Sequence, residues 1–94
     1  MLKRIVRMEF DPDKVQDFLN LFEEVKVKIS SQEGCRHLEL CKDATLDHVY
    51  FTFSMWEKEE DLERYRHSDL FKDTWAKTKI LFGGKPVAFS LVEA

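Results

Sequence analysis

"FSMWEKEEDLERYRHSDLFKDTW", Phe53 to Trp75, begins as a strand, turns into an acidic helix, stalls at His67-Ser68-Asp69 and resumes as a second helix. Glu57, Glu59, Glu60 and Asp61 crowd the start of the first helix and Arg64 and Arg66 its end, the distribution that the helix dipole favours. Ser68 is a good N-cap for the helix that follows. A plain surface helix does not need Trp56, Tyr65, Phe71 and Trp75 in so short a span, so these aromatics fill a core or line a pocket.

Upstream, "CRHLELCK" (35–42) and "HVYFTFSMW" (48–56) read as two strands joined by the polar turn "DATLD". In the second, Val49, Phe51, Phe53 and Met55 share one face and Tyr50, Thr52, Ser54 and Trp56 the other, while the first alternates less cleanly. Before them, "DPDKVQDFLNLFEEVKVKISSQEG" (11–34) has Asp11 as N-cap, Pro12 at the first helical position and Gly34 as the stop. Its stripe of Phe18, Phe22, Val25 and Ile29 requires a flat apolar surface to lie on. The N-terminal "KRIVRMEF" (3–10) is a strand with Val6, Met8 and Phe10 on one face and Ile5, Arg7 and Glu9 on the other. Downstream of the opening stretch, Phe71, Trp75, Thr78 and Phe82 form a helical stripe that ends at Gly83-Gly84. "KPVAFSLVE" (85–93) is the last strand, with Val87, Phe89 and Leu91 on one face.

The order β-α-β-β-α-β, with the second helix broken in two, predicts an α+β ferredoxin-like sandwich in which both helices cover one side of an antiparallel four-stranded sheet. The uniformly apolar strand faces are expected to pack on the helices. The opposite face, with Ile5, Arg7, Glu9, Glu39, Tyr50, Thr52, Ser54, Trp56, Ala88 and Ser90, is mixed but too apolar for open water, which predicts a second subunit's sheet over it. A homodimer through the sheet faces is the expected assembly.

A chain of 94 residues without a linker, a repeat or a low-complexity tract is expected to form a single domain over 1–94. A domain of this size buries only about 60–65% of the surface that its unfolded chain exposes, so association helps it. With 13% aromatic content it is an ordered globular chain. The net charge of −3, from 15 basic and 18 acidic side chains interspersed, offers no field for nucleic acid or an anionic membrane. "MLKRIVRMEF" lacks the apolar run of a signal peptide and no later run spans a bilayer, so a cytoplasmic protein is expected. Cys35 and Cys41, about 20 Å apart if they share one strand, are expected to be reduced, small buried groups. No His/Cys cluster has metal-ligand spacing.

"G-C-x-x-L-E-L" from Gly34, "F-x-x-W-E" from Phe53 and "E-x-L-x-x-Y-x-x-S-x-x-F" from Glu60 resemble the antibiotic biosynthesis monooxygenase family of dimeric α+β barrel proteins. The likeness extends from Ile5 to Val92. It implies a homodimer whose sheets form a barrel, and a pocket in each subunit between sheet and helices near the broken second helix. It further implies an oxygenase that uses no metal or flavin and acts on a phenolic, quinol or polyketide-like aromatic, whose electron-rich anion itself reduces O2. Two alternatives are a dimeric small-molecule-binding module without turnover and a haem-degrading protein. Many quinol-type relatives carry a His where this chain has Tyr65, and another where it has Leu70. Haem-degrading relatives place a Trp at the position of Tyr65 and the iron-binding His at that of Trp75, so the axial ligand is missing here.

His67 is the one imidazole beside the helix break; it is either the base for a phenol or a solvated loop residue. Tyr65 can orient a phenolic substrate, or share in catalysis, or close the core. Phe71 and Trp75, four residues apart on one helix face, suit core and pocket wall alike, and Phe22 and Phe53 complete the expected aromatic lining. His37 and His48 read as strand-edge or turn residues, and Arg7 and Glu9 as an interface ion pair.

Overall fold

The computed structural model describes all 94 residues, Met1–Ala94. Its elements are β1 (Leu2–Glu9), α1 (Val15–Ser30), β2 (Cys35–Lys42), β3 (Val49–Trp56), α2 (Glu59–Arg66), α3 (Asp69–Lys79) and β4 (Val87–Val92). The strands form one antiparallel sheet in the order β2-β3-β1-β4, as the ferredoxin-like reading requires. β1 lies inside the sheet, with Ile5 opposite Phe53 of β3 on one side and Phe89 of β4 on the other.

The expected helix over 11–34 is shorter than its sequence signals. Asp11 Oδ1 accepts the N–H of Asp13 at 3.0 Å and so caps a 3-10 turn, Pro12–Lys14, ahead of α1. α1 ends at Ser30, and Gly34 serves the following loop with a φ of 81°, a conformation that side-chain-bearing residues rarely take. The Gly34 carbonyl accepts the N–H of Glu57 at 2.8 Å, and a Cβ at this position would overlap the Asp61 carboxylate. Likewise α3 stops at Lys79, and Phe82 leaves the helix to form an isolated bridge with Phe10.

The break at His67-Ser68 falls where the sequence stalls. Ser68 has extended backbone angles, and its hydroxyl donates to the Tyr65 carbonyl at 2.6 Å while accepting the Phe71 N–H at 3.1 Å. One side chain thus finishes α2 and caps α3. β2 reads less cleanly because a bulge between Cys35 and His37 shifts its register. The bulge lets Cys35 and Leu38, which strict alternation would separate, both join the helix side of the sheet.

Two strands face opposite to expectation. On β3 it is Thr52, Ser54 and Trp56 that point to the helices, beside Arg4, Val6 and Met8 of β1 and Ala88 of β4. Phe51, Phe53 and Met55, with Ile5, Val87, Phe89 and Leu91, make the outer face. That face is apolar and uncovered in the single chain: Phe89 is 50% and Leu91 47% exposed. Most apolar therefore does not mean helix-facing here, since Ser54 sits inside as acceptor for the Trp56 indole N–H at 3.0 Å. Arg7 and Glu9 lie 3.6 Å apart on the outer face as an ion pair within one strand, and His48 approaches Glu9 at 3.9 Å. Both cysteines are free thiols; Cys35 is buried, whereas Cys41 is exposed, contrary to its expected burial. Cys41 alternates onto the outer face opposite Phe51, which is why it escapes the core.

Candidate functional site

Eight of the buried side chains pack into two separate groups of four. Leu2, Cys35, Trp56 and Leu62 pack at one end of the sheet, and Met8, Phe10, Phe18 and Tyr50 at the other. Between them lies a cavity of about 360 Å³, toward the small end of the size that ordinary small-molecule sites show. Its floor is the sheet, through Arg4, Val6, Met8, Leu38, Thr52, Ser54, Trp56 and Ala88. Helix α1 supplies Phe18, Leu21, Phe22, Val25 and Ile29; α2 supplies Leu62, Tyr65 and Arg66; α3 supplies Phe71, Thr74, Trp75 and Thr78.

A chain of ring contacts joins the two packed ends along this wall. Trp56 stacks on Tyr65 at 5.3 Å, Tyr65 meets Phe71 edge-on at 5.3 Å, and Phe71 stacks on Trp75 at 6.0 Å. Trp75 then meets Phe82 at 5.6 Å, Phe82 meets Phe10 at 5.4 Å, and Phe10 stacks on Phe18 at 4.2 Å, with Phe22 next at 6.2 Å. The aromatic spacing of the opening stretch serves both purposes at once: Trp56, Tyr65, Phe71 and Trp75 pack on one another and all line the cavity.

The polar groups of the lining are few. Burial pushes the Tyr65 phenol up to about 12, with the nearby Cys35 thiol adding to the effect, so at neutral pH it is a protonated hydroxyl. Arg4 is half-buried and donates from Nη1 to Ser90 Oγ at 2.8 Å. Burial, and then repulsion from Arg66, lower its pKa, and Glu63 only partly opposes this. Arg66 donates to Glu63 at 2.9 Å. The Thr78 hydroxyl donates back to the Thr74 carbonyl at 2.7 Å, but the buried Oγ1 of Thr74 has no hydrogen-bond partner. No carboxylate and no imidazole lines the cavity. Nowhere do three or more His, Cys, Asp or Glu side chains gather in a way that could hold a metal ion.

Of the residues singled out in the sequence, Tyr65, Phe71, Trp75 and Phe22 are brought together on this cavity. Phe53 is not: with β3 in its observed phase it lies on the outer face, where its ring meets His37 at 5.7 Å. Nor is His67, whose ring is 77% exposed and 3.5 Å from Glu63. As the C-cap of α2 it sits at the break, but its side chain leaves the helix toward solvent. Arg4, Ser54 and Thr74 also line the cavity, although the sequence does not single them out as candidate site residues. The available signal was Arg4 itself, a charge on the stripe of Val6, Met8 and Phe10.

The sequence matches the antibiotic biosynthesis monooxygenase family over residues 1–77. No curated protein matches it significantly. Among solved structures, a conserved protein from Methanosarcina mazei superposes with a TM-score of 0.95 at 18% identity, covering 99% of this chain and 92% of that one. A crystal structure of an antibiotic biosynthesis monooxygenase gives a TM-score of 0.93 at 16% identity, covering 100% of this chain and 99% of the other. A Mycobacterium tuberculosis protein gives 0.91 at 18% identity, with 99% and 94% covered. At such identities these likenesses show the fold alone. No helix is long and apolar enough to cross a membrane.

Proposed function

The chain belongs to the antibiotic biosynthesis monooxygenase family, and from that premise we propose that it is a cofactor-independent monooxygenase acting on a phenolic, quinol or polyketide-like aromatic. The observation that carries this reading is the aromatic-walled cavity between the sheet and the broken helix. Flat rings on the wall suit a flat, electron-rich ligand, and a mostly apolar lining strengthens the few polar contacts that hold its oxygen atoms. The ionised substrate gives an electron to O2, the resulting radical pair combines into a carbon-bound peroxide anion, and this regains a proton from water to become the hydroperoxide. Loss of water from it leaves a carbonyl, so one oxygen atom stays in the product and the other departs with the two substrate hydrogens. In this reading Trp75, Phe71 and Phe22 hold the ring, Tyr65 donates a hydrogen bond, and His67 and Phe53 take no direct part.

The same reading includes a homodimer. The outer sheet face, with Ile5, Phe51, Phe53, Phe89 and Leu91, has the apolar character of a surface that is covered in the working protein. A second copy of the sheet packed face to face meets this need with a self-complementary interface. Phe53 then has an assembly role in place of the ligand-binding one expected of it.

The lack of a carboxylate or imidazole in the lining favours a second reading, a dimeric binding module without turnover. Oxygen uptake by the purified protein with dihydroxynaphthalenes and anthrone-type phenols, corrected for autoxidation, separates the two. Saturable uptake that falls in Tyr65→Phe and Trp75→Ala supports the oxygenase. Saturable binding of the same compounds without uptake leaves the binding module.

A further inference from the structure

Most of the cavity is apolar, yet its sheet floor carries Arg4 beside Ser54. Arg4 on β1 stands between its cross-strand partners Ser54 on β3, which also lines the cavity, and Ser90 on β4, which is exposed. Its guanidinium reaches Ser90 Oγ at 2.8 Å, and no carboxylate lies within ion-pairing distance of it. The other arginine of the lining, Arg66, is already engaged by Glu63 at 2.9 Å. Arg4 is therefore a half-buried guanidinium on the cavity lining with no carboxylate of its own, near an arginine whose charge Glu63 already offsets, so it is the lining's available cation for a ligand.

The remaining polar atoms of the lining complement an acceptor. The Ser54 oxygen is taken by the Trp56 N–H at 3.0 Å, which leaves the serine hydroxyl proton to donate. Thr74 Oγ1 is buried on the facing helix without a partner, and native proteins rarely leave such a group unsatisfied. Around Arg4, the charged groups on other elements are Arg66 and Glu63 of α2. α1 and α3 give the lining no titratable side chain, β4 gives it only Ala88, and the Ser90 hydroxyl that accepts from Arg4 lies at the exposed edge beside it. The site is thus rich in donors, and no group lining it can take up a proton near neutral pH.

We infer that the cavity takes its ligand as an anion, with an ionised oxygen (enolate, phenolate or carboxylate) seated on Arg4 and hydrogen-bonded by the Ser54 and Thr74 hydroxyls. This deepens, and rests on, the reading of the cavity as a site for aromatic compounds. A ligand proton is lost to water before or during entry rather than to a side chain of the protein. Acidic enols and phenols, already ionised near neutral pH, are accordingly preferred over ordinary phenols of the same shape.

The test is binding of lawsone, an acidic hydroxynaphthoquinone that is ionised at neutral pH, against its neutral O-methyl ether, measured calorimetrically on the wild type, Arg4→Gln and Arg4→Lys. A hydrogen-bonded charge contributes enough to favour the anion by about tenfold to a hundredfold. Arg4→Gln is expected to bring the ratio close to one, Arg4→Lys to keep part of it, and acidification through the pKa of lawsone to weaken lawsone alone. Equal affinity of the wild type for the two compounds overturns the anion seat while leaving the aromatic cavity standing. Binding of neither compound overturns both. Should Arg4→Gln fail to fold, the wild-type ratio and its pH dependence decide the matter by themselves.

Discussion

Replacing Trp75 by alanine probes the dual role of the aromatic wall. The indole stacks on Phe71 at 6.0 Å with an interplanar angle of 7° and meets Phe82 edge-on at 5.6 Å, so its loss cuts the ring chain in the middle. Truncating a fully buried Phe or Trp to Ala costs about 3–5 kcal/mol. Trp75 is only half-buried, and one side of it faces the cavity rather than packed atoms, so roughly half of that, about 2 kcal/mol, is expected. In a domain of this length such a loss lowers Tm by about 8–16 °C. The same substitution removes a ring face from the site, and affinity for a bicyclic aromatic should fall about threefold to tenfold. Thermal melts followed by circular dichroism and ligand titration give both numbers, with Trp75→Phe as a control that keeps much of each. A melting point within about 3 °C of wild type together with unchanged affinity would refute the placement of Trp75 in core and cavity wall.

Two further substitutions test separate parts of the account. Gly34→Ala should destabilise the fold by about 1–3 kcal/mol in denaturant titrations, because φ is 81° there and the new methyl overlaps the Asp61 carboxylate; an unchanged midpoint would show that the loop does not need glycine. Tyr65 should ionise late in an ultraviolet pH titration, near pH 12, and Tyr65→Phe should remove that phase. The unfolded chain releases this proton near pH 10 and the native chain does not, so the stabilising effect is full below pH 10 and is lost as the pH rises towards 12. A Tyr65 ionisation near pH 10 would mean that the phenol is solvated.

Much of the architecture is legible from local signals. Asp11-Pro12, Gly34, Ser68 and Gly83-Gly84 punctuate the chain at or near its real boundaries, and alternation in β1 assigns its faces correctly. The phases of β3 and β4 are not legible in this way. Both strands carry their largest apolar side chains on one face, and a rule that sends that face to the helices fails when the other face must line a cavity with Thr52, Ser54 and Ala88. The same rule sends Phe53 to the helix side, whereas it lies on the outer face. His67 illustrates a different limit: closeness to the helix break is a property of the chain, whereas the direction of a C-cap side chain depends on the turn, which here sends the ring outward. Arg4 is not legible as a lining residue because an arginine at the start of a strand reads as solvent exposed, although its neighbours on the same face, Val6 and Met8, are apolar cavity-lining residues.

Ligands are expected to enter between the sheet and the helices and not on the outer sheet face. Methyl groups stand on both sides of the sheet, so a methyl-labelled NMR titration with a dihydroxynaphthalene reads the two locations at once. Saturable shifts are expected at Val6, Met8, Val25, Ile29 and Leu62, which line the cavity, with Ile5, Val87 and Leu91 unaffected. Shifts confined to Ile5, Val87 and Leu91, or no saturable shift at any methyl, would contradict this.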